Sequence, residues 1–140
     1  MRPPGPGEDN SRSLIGQAGD KTLPTPDAAL VQLIRTYGLG RFLIGEREWR
    51  EPVLVSPTLS VPWKVTRAED LVIGALKDMP AIELLVVGCG ARSVFLPPPL
   101  RASFKAAGIA LEVVDTGAAC RIYNVLLAES RKVGAALIPL

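Results

Sequence analysis

The stretch ELLVVGCGARS, residues 83–93, decides the fold class, because an apolar run ends there abruptly in Gly-Cys-Gly. Strands that are covered on both faces, as in a parallel sheet, show a continuous apolar run rather than alternating apolar and polar residues. Glycines at the end of such a run can supply positive φ angles where the chain leaves the sheet. The stretch therefore predicts a buried parallel strand over residues 82–87 and a turn directly after it.

The residues after this turn alternate between helical and strand patterns. Three prolines lead into a segment with apolar residues on one side that stops at Gly108, which is typical of a helix. Residues 109–116 form a second apolar run, residues 117–131 are apolar over more than half a helical circumference, and residues 135–140 form a last run. We therefore expect a βαβαβ unit, whose parallel crossovers are right-handed in nearly all proteins.

Short antiparallel strands are predicted upstream of that unit. A strand is expected near residues 30–37, and the segments RFLIG and REWRE flank a tight turn at Gly45–Glu46. The branched run Val53–Val55 adds a further strand. These patterns predict an N-terminal antiparallel hairpin element before the βαβαβ C-terminal half.

Residues 66–79 carry the signals of a helix. Thr66 and Glu69 have the spacing of a capping box, in which the Thr side chain caps the helix and the Glu side chain reaches back to its amide. Apolar residues then recur at helical spacing up to a stop at Pro80. A helix is therefore expected here.

The first 28 residues differ in composition from the rest of the chain. Residues 1–28 carry Pro and Gly at both ends and almost no apolar periodicity, so we expect a disordered tail before a single α/β domain over residues 29–140. The tail has neither the apolar segment of a secretory signal nor the acid-poor, Arg-rich composition of a mitochondrial presequence. No apolar segment approaches the ~18–20 residues that span a bilayer. A cytoplasmic protein without an integral membrane segment is expected.

Charge and histidine content exclude several classes of function. Sixteen Lys and Arg stand against fourteen Asp and Glu with no run of like charges, so the clustered positive charge of a nucleic-acid-binding protein is missing. The chain has no histidine, which excludes Ser-His-Asp and Cys-His nucleophiles as well as histidine metal ligands. Two isolated cysteines cannot complete a tetrahedral zinc site, and we expect both to be free thiols. No catalytic residue, metal or cofactor is predicted.

Two phrases of the C-terminal half resemble a known family. VVGCGARS at 86–93 and GIALEVVDTGAACRIYNVLLAESRKVGAALIP at 108–139 look like the small α/β domain family of uncharacterised bacterial proteins related to mitochondrial complex I assembly factor three. The likeness covers roughly residues 29–140. It implies a three-layer α/β fold, in which helices pack on a central mixed sheet beside a small antiparallel element, and the predicted strands agree with it.

The resemblance also implies a function. The mitochondrial member is understood as a chaperone-like assembly protein that works with partner proteins at the inner membrane, so the likeness implies a non-enzymatic binding or assembly factor. The implied partners are respiratory-complex subunits or other assembly factors, with room for peripheral association with a membrane. Because the tail shows no mitochondrial targeting pattern, the chain is expected to be a bacterial relative.

The Gly-Cys-Gly turn is the first candidate site. A dinucleotide fingerprint requires G-x-G-x-x-G, but Ser93 stands in place of the third glycine and no helix opens directly after it. A Rossmann cofactor site is therefore not expected, and positive φ at the turn explains the glycines. Cys89 nevertheless lies beyond the C-terminal end of a strand, where open α/β sheets place ligands.

The start of the helix over 117–131 is the second candidate site. Asp115 and Thr116 can cap this helix, and with its N-terminus they also form a corner that suits a small anion or an amide. Arg121 adds a cation within a turn. Cys120 is either a thiol whose pKa the helix dipole lowers or a buried core residue, and burial is the more frequent case.

Both candidates meet if their strands are neighbours in the sheet, since the C-terminal ends of parallel strands open on one edge. The residues that would line this crevice are Gly88, Cys89, Gly90, Arg92, Asp115, Thr116, Cys120 and Arg121. The alternative to an assembly factor is therefore a small-ligand-binding protein or an enzyme that uses the crevice.

Aromatic and amide side chains outside the crevice are interpreted as packing residues. Tyr123 and Asn124 lie on the last helix, and Trp49 and Trp63 lie in the N-terminal part. The two tryptophans would serve as interface anchors if they were exposed, because Trp is enriched at binding hot spots. The sequence leaves their exposure open.

Overall fold

Two β-sheets and two α-helices make up the part of the chain that the structure, a computed structural model, describes, residues 31–140. The tail predicted over residues 1–28 lies outside the described residues. Residues Gln32–Leu140 form one compact unit. The strands and helices are β1 (Ile34–Gly38), β2 (Arg41–Ile44), β3 (Arg47–Trp49), β4 (Val53–Val55), β5 (Ser60–Pro62), β6 (Leu84–Gly88), α1 (Pro98–Ala106), β7 (Ala110–Val114), α2 (Thr116–Ala128) and β8 (Val133–Leu137).

The smaller sheet is an antiparallel meander in the order β1-β2-β3. Ile44 pairs with Arg47, so the predicted tight turn at Gly45–Glu46 joins β2 to β3. The turn between β1 and β2 consists of Leu39 and Gly40, whose φ angles are 57° and 75°. Two consecutive positive φ angles match the twist of the flanking strands in a two-residue hairpin, which explains why glycine follows the leucine.

The larger sheet is mixed and has the order β5-β4-β8-β6-β7. β6 pairs in parallel with β7 on one side and with β8 on the other, and β4 pairs antiparallel with β8. Leu85 to Gly88 of β6 are buried. The prediction of a strand covered on both faces is therefore confirmed, as is the parallel C-terminal half.

The two faces of the five-stranded sheet carry separate apolar cores, because side chains alternate along β6. Val86 packs on one face with buried residues of α2 and with Phe42 of the smaller sheet. Leu85 and Val87 pack on the other face with Phe104 of α1. The chain thus has the predicted three-layer α/β architecture around a central mixed sheet.

Both helices begin and end at residues that the sequence favours. Pro98 lies in the first turn of α1, and Gly108, with a φ of 77°, follows its end. Asp115 caps α2 by accepting a hydrogen bond from the Ala118 N–H at 2.9 Å. Thr116, the other predicted cap, has a different role that is described below.

The helix predicted over residues 66–79 is wrong. This segment forms two short 3-10 helices, Ala68–Asp70 and Ile73–Leu76, and no side-chain hydrogen bond caps either of them. Val72 between them is extended, with a φ of −133° and a ψ of 152°. Apolar residues three positions apart suit a 3-10 turn as well as an α-helix, and a β-branched residue and Gly74 lower the helix propensity.

Trp49 and Trp63 are both buried, with 3% of each residue exposed. They therefore belong to the two cores and cannot anchor a partner from the surface. Neither indole N–H finds a hydrogen-bond partner among the described residues. The Arg47 guanidinium lies 3.9 Å from the centre of the Trp49 ring and forms a cation–π contact with it.

Candidate functional site

The structure brings the two predicted halves of the crevice together at the C-terminal ends of β6 and β7. The Thr116 N–H donates to the Gly90 carbonyl at 2.9 Å, and the Gly90 N–H donates to the Thr116 hydroxyl at 2.8 Å. We call this place, residues 88–92 with 115–121, the strand-end corner. Its two loops are joined to each other directly by these hydrogen bonds.

Thr116 connects three segments of the chain at the strand-end corner. Besides accepting from Gly90, its hydroxyl donates to the Ile138 carbonyl at 2.6 Å, just beyond β8. The side chain is fully buried. A buried hydroxyl whose donor and acceptor functions are both used stabilises the fold and is not available to a ligand.

Several further backbone groups of the strand-end corner are paired within the fold. The Cys89 N–H donates to Val114 and the Ile138 N–H donates to the Gly88 carbonyl, both at 2.9 Å. The Ala118 N–H is held by the Asp115 carboxylate. An anion site at a helix N-terminus needs N–H groups that point at the ligand, and the amides named here point at protein atoms.

Gly88 and Gly90 are required for different reasons. Gly90 has a φ of 94°, as predicted for a turn out of the sheet. Gly88 lies within β6, and a Cβ atom there would come within 3.0 Å of the Ala119 Cβ, a Leu137 methyl and the Thr116 Cα. The expectation of positive φ at both glycines is therefore wrong for Gly88, which is needed because α2 packs against β6.

The two cysteines lie on opposite faces of the sheet. Cys120 is buried in the core that contains α2, and Cys89 is partly buried against the core that contains α1. They do not border one crevice as expected. Burial raises the pKa of Cys120 to about 12 and also raises the pKa of Cys89. Both thiols are therefore protonated at neutral pH, and the interpretation of Cys120 as a core residue is confirmed.

The two candidate cations of the strand-end corner are exposed and differ in their contacts. Arg121 donates from Nη1 to the Tyr37 hydroxyl of β1 at 3.2 Å. The Arg121 Nη1 and the Asp115 Oδ1 each lie 3.4 Å from the point that a Cβ atom of Gly117 would occupy. Arg92 is exposed and forms no ion pair with the residues that the structure describes. Arg121 is therefore directed towards the start of α2.

The residues after Arg121 hold the smaller sheet against α2. The Asn124 amide accepts from the Ile34 N–H at 3.0 Å and donates to the Ile34 carbonyl at 2.8 Å, so it pairs with β1 as a neighbouring strand would. The Tyr123 hydroxyl donates to the Gln32 carbonyl at 2.9 Å. These contacts give Tyr123 and Asn124 the packing role that the sequence indicated.

A second surface, which the sequence did not indicate, lies between α1 and β7. A groove of about 470 Å³ is lined there by Arg101 and Lys105 of the helix and by Ile109 and Leu111 of the strand side. We call it the α1–β7 groove. β7 ends the strand order of the larger sheet in the described part of the chain. The groove depends on β7 being an edge strand, and strand order has no local sequence signal.

Residues 31–140 contain neither a cluster of metal ligands nor a membrane-spanning helix. They contain no group of three or more His, Cys, Asp and Glu side chains placed to hold a metal ion. Neither α-helix of this part of the chain combines the length and the apolar character that crossing a bilayer requires.

The two sheets and two helices of the described residues define a small mixed α/β domain. The model of a protein family of unknown function (DUF498/DUF598) matches residues 34–138, and the chain belongs to this family. An uncharacterized protein of Rhodobacter capsulatus is 39% identical over 105 residues, which cover 74% of this chain and 82% of that protein.

Relatives with a described role and with a solved structure are also found. The NADH dehydrogenase [ubiquinone] 1 alpha subcomplex assembly factor 3 of Xenopus tropicalis is 36% identical over 117 residues, 81% of this chain. The matched part spans 64% of that assembly factor's length. The crystal structure of a Bordetella parapertussis protein is similar with a TM-score of 0.73 and 31% identity, covering 81% of this chain and all of that one. The predicted family is thereby confirmed.

Proposed function

We propose that this chain is a non-enzymatic binding protein that acts as an assembly factor for respiratory complex I. The observation that carries the proposal is its 36% identity over 117 residues with an assembly factor of NADH dehydrogenase. The matched 81% of the chain is enough to include both sheets and both helices. An assembly factor acts by holding other proteins, so the function requires an interaction surface and does not require a catalytic group.

The chemistry of the described residues supports binding over catalysis. The chain has no histidine, and burial keeps both thiols protonated at neutral pH. Nucleophilic catalysis by cysteine needs a thiolate, which is formed by a neighbouring base or by a lowered pKa. Neither condition is met at Cys89 or Cys120.

The proposed partners are respiratory-complex subunits or other assembly factors, and the proposed location is the bacterial cytoplasm. A protein of this kind can associate with the membrane peripherally through its partner. The alternative function, small-ligand binding at the strand-end corner, stays a prediction. The hydrogen bonds that already occupy the Gly90, Thr116 and Ala118 amides do not favour it.

The experiment that tests the proposal is deletion of the gene in its natural host. We expect assembled complex I, measured on native gels and as NADH:quinone reductase activity of membranes, to fall severalfold and to recover on complementation. A matched control is complementation with the variant Arg35→Glu, Arg41→Glu, whose changes lie on exposed positions of the smaller sheet. Normal amounts of complex I in the deletion strain would overturn the proposal.

A further inference from the structure

The α1–β7 groove has an apolar floor and a cationic rim. Ile109 and Leu111 line the floor, and both pack partly into the core beneath α1. Arg101 and Lys105 are exposed on the rim, one helical turn apart, and neither forms an ion pair within the described residues. Two unpaired cations beside an apolar groove favour an anionic occupant.

The outer edge of β7 offers hydrogen-bonding groups next to this groove. The Ala110 N–H donates to the Glu83 carbonyl, and the Val114 carbonyl accepts from the Cys89 N–H. Alternate residues of β7 therefore direct their backbone N–H and carbonyl groups towards β6. Leu111 and Val113 therefore direct their N–H and carbonyl groups away from the sheet. The Ser93 hydroxyl donates to the Val113 carbonyl at 3.1 Å, which closes the edge at one end.

Three backbone groups are left open by this arrangement: the N–H and carbonyl of Leu111 and the N–H of Val113. No hydrogen bond from another described residue reaches them. An exposed edge with unpaired N–H and carbonyl groups is a template for an additional strand. Peptide segments bind in this way to several kinds of domain, with backbone hydrogen bonds giving affinity and side chains giving specificity.

Phe95 makes a cation–π contact with one of the two rim cations. Phe95 is 76% exposed, and the Arg101 guanidinium lies 5.5 Å from the centre of its ring. Cation–π contacts of this kind act within about 6 Å. The contact does not neutralise the charge of the guanidinium.

We infer that the α1–β7 groove binds an extended, acidic segment of a partner protein, which adds to the larger sheet as a sixth strand beside β7. This inference rests on the proposed function, because it names the surface that an assembly factor would use. The segment carries acidic side chains at alternate positions, which face Arg101 and Lys105. The positions between them face the opposite side of the sheet, where Glu112 is exposed, and are neutral or basic.

The positive charges of Arg101 and Lys105 favour an acidic partner segment over a second copy of this chain. Pairing of two β7 edges about a two-fold axis normal to the sheet would place Arg101 and Lys105 of both copies on one face. Like charges that meet across an interface cost free energy and suppress the wrong partner. An acidic partner segment meets the same cations with attraction.

An NMR titration of the nitrogen-15-labelled full chain with a peptide tests the inference, and the backbone amide signals are followed. The probe is the end-blocked peptide TVEVEVT, whose two glutamates would face α1. We expect the Leu111 and Val113 amide resonances to shift saturably and their hydrogen exchange to slow. The same peptide with its three central backbone nitrogens methylated serves as a control, because it keeps both glutamates, lacks the central N–H donors on either edge of the strand and should bind more weakly.

A charge swap makes the test specific for the rim. The variant Arg101→Glu, Lys105→Glu should bind TVEVEVT about tenfold more weakly and TVKVKVT about tenfold more tightly than the wild type does. The matched control Arg35→Glu, Arg41→Glu changes the net charge equally on the smaller sheet and should bind like the wild type. Equal weakening in both variants would show that net charge alone attracts the peptide, and this would overturn the inference.

Two further outcomes contradict the inference. One is a titration in which the Leu111 and Val113 amides do not respond to TVEVEVT. The other is concentration-dependent shifts of these amides without peptide, which would indicate a dimer through β7.

Failure of the inference can be told from failure of the proposed function by crosslinking of the tagged full chain in its host. If wild type and the Arg101→Glu, Lys105→Glu variant crosslink the same respiratory-complex protein equally, the groove is not the docking site and the proposed function stands. If the wild type crosslinks no such protein and deletion leaves complex I intact, the proposed function fails.

Discussion

The strand-end corner and the α1–β7 groove differ in how their polar groups are used. At the corner, the Gly90 and Ala118 amides and the Thr116 hydroxyl are paired with protein atoms. At the groove, backbone groups of β7 and the charges of Arg101 and Lys105 have no polar partner among the described residues. A binding surface needs groups that are free to pair, so the difference favours the groove.

The comparison also shows that a sequence that looks like a ligand site can have a structural role. Gly-Cys-Gly and Asp-Thr-Gly are residues that turn a chain, cap a helix and allow close packing. Those are the tasks they perform here, where α2 approaches β6 at Gly88. If the corner is structural and the groove is not, substitutions at the corner should lower the free energy of unfolding and substitutions at the groove should not.

Substitution of Gly88 by Ala should destabilise the protein most. The added Cβ would lie 3.0 Å from the Thr116 Cα, which is backbone and cannot move aside without shifting α2. Overpacking of this kind typically costs about 1–3 kcal/mol, and we expect a value near the upper end. Urea unfolding measures it. Gly74→Ala is the control, because nothing lies within 4 Å of a Cβ there, and equal losses in the two variants would contradict the packing role of Gly88.

Replacement of Thr116 by Val should cost about 2 kcal/mol of unfolding free energy, because the shape is kept while the bonds to Gly90 and Ile138 are lost. Urea unfolding again gives the value. The matched control is Thr66→Val at an exposed position, for which a change within about 0.5 kcal/mol is expected. A neutral Thr116→Val variant would mean that the hydroxyl is dispensable to the fold and free for another role.

Alkaline pH should weaken the fold through Cys120. Burial raises the pKa of this thiol from 9.0 to about 12, so the folded state keeps a proton that the unfolded chain releases above pH 9. Stability from this group is fully present below pH 9 and is lost as the pH rises towards 12. The loss between pH 9 and pH 10 should be about 1 kcal/mol.

The variant Cys120→Ala is the control for the alkaline effect. Its unfolding free energy should fall less steeply between pH 9 and pH 10 than that of the wild type, whatever its stability at neutral pH. Identical slopes in urea unfolding at the two pH values would show that Cys120 ionises as easily in the folded protein as in the unfolded chain.

Charge reversal at the groove should have the smallest effect on stability. Arg101 and Lys105 are exposed and form no ion pair with a described residue, so Arg101→Glu, Lys105→Glu should change the unfolding free energy by less than about 0.5 kcal/mol. Thermal and urea unfolding check this. A loss above about 1 kcal/mol would show that Arg101 and Lys105 stabilise the fold. The groove and the strand-end corner would then no longer differ in this respect.

The sequence predicts those elements whose signals are local. The run over 82–87 identified the buried parallel strand, and the turn at Gly45–Glu46 was correctly placed in its hairpin. The helix over 66–79 failed because its apolar spacing suits 3-10 turns equally well. In that segment Ala68 and Leu71 are buried in the core that contains α1.

The candidate sites could be predicted only in part, because their properties depend on contacts between distant segments. Adjacency of the two loops followed from parallel strand order. Whether the Gly90 amide is free depends on Thr116, which lies 26 positions away. The α1–β7 groove exists because β7 is at the edge of the sheet, a fact that no stretch of sequence near Arg101 carries.

The central claim is that the α1–β7 groove, rather than the strand-end corner, is the surface open to a partner. The most direct test consists of two NMR titrations of the full chain, one with the peptide TVEVEVT and one with inorganic phosphate. We predict that Leu111 and Val113 respond to the peptide, and that the amides of 88–92 and 116–121 respond to neither. Saturable shifts at 88–92 and 116–121 with an unmoved β7 edge would contradict the claim and assign binding to the corner.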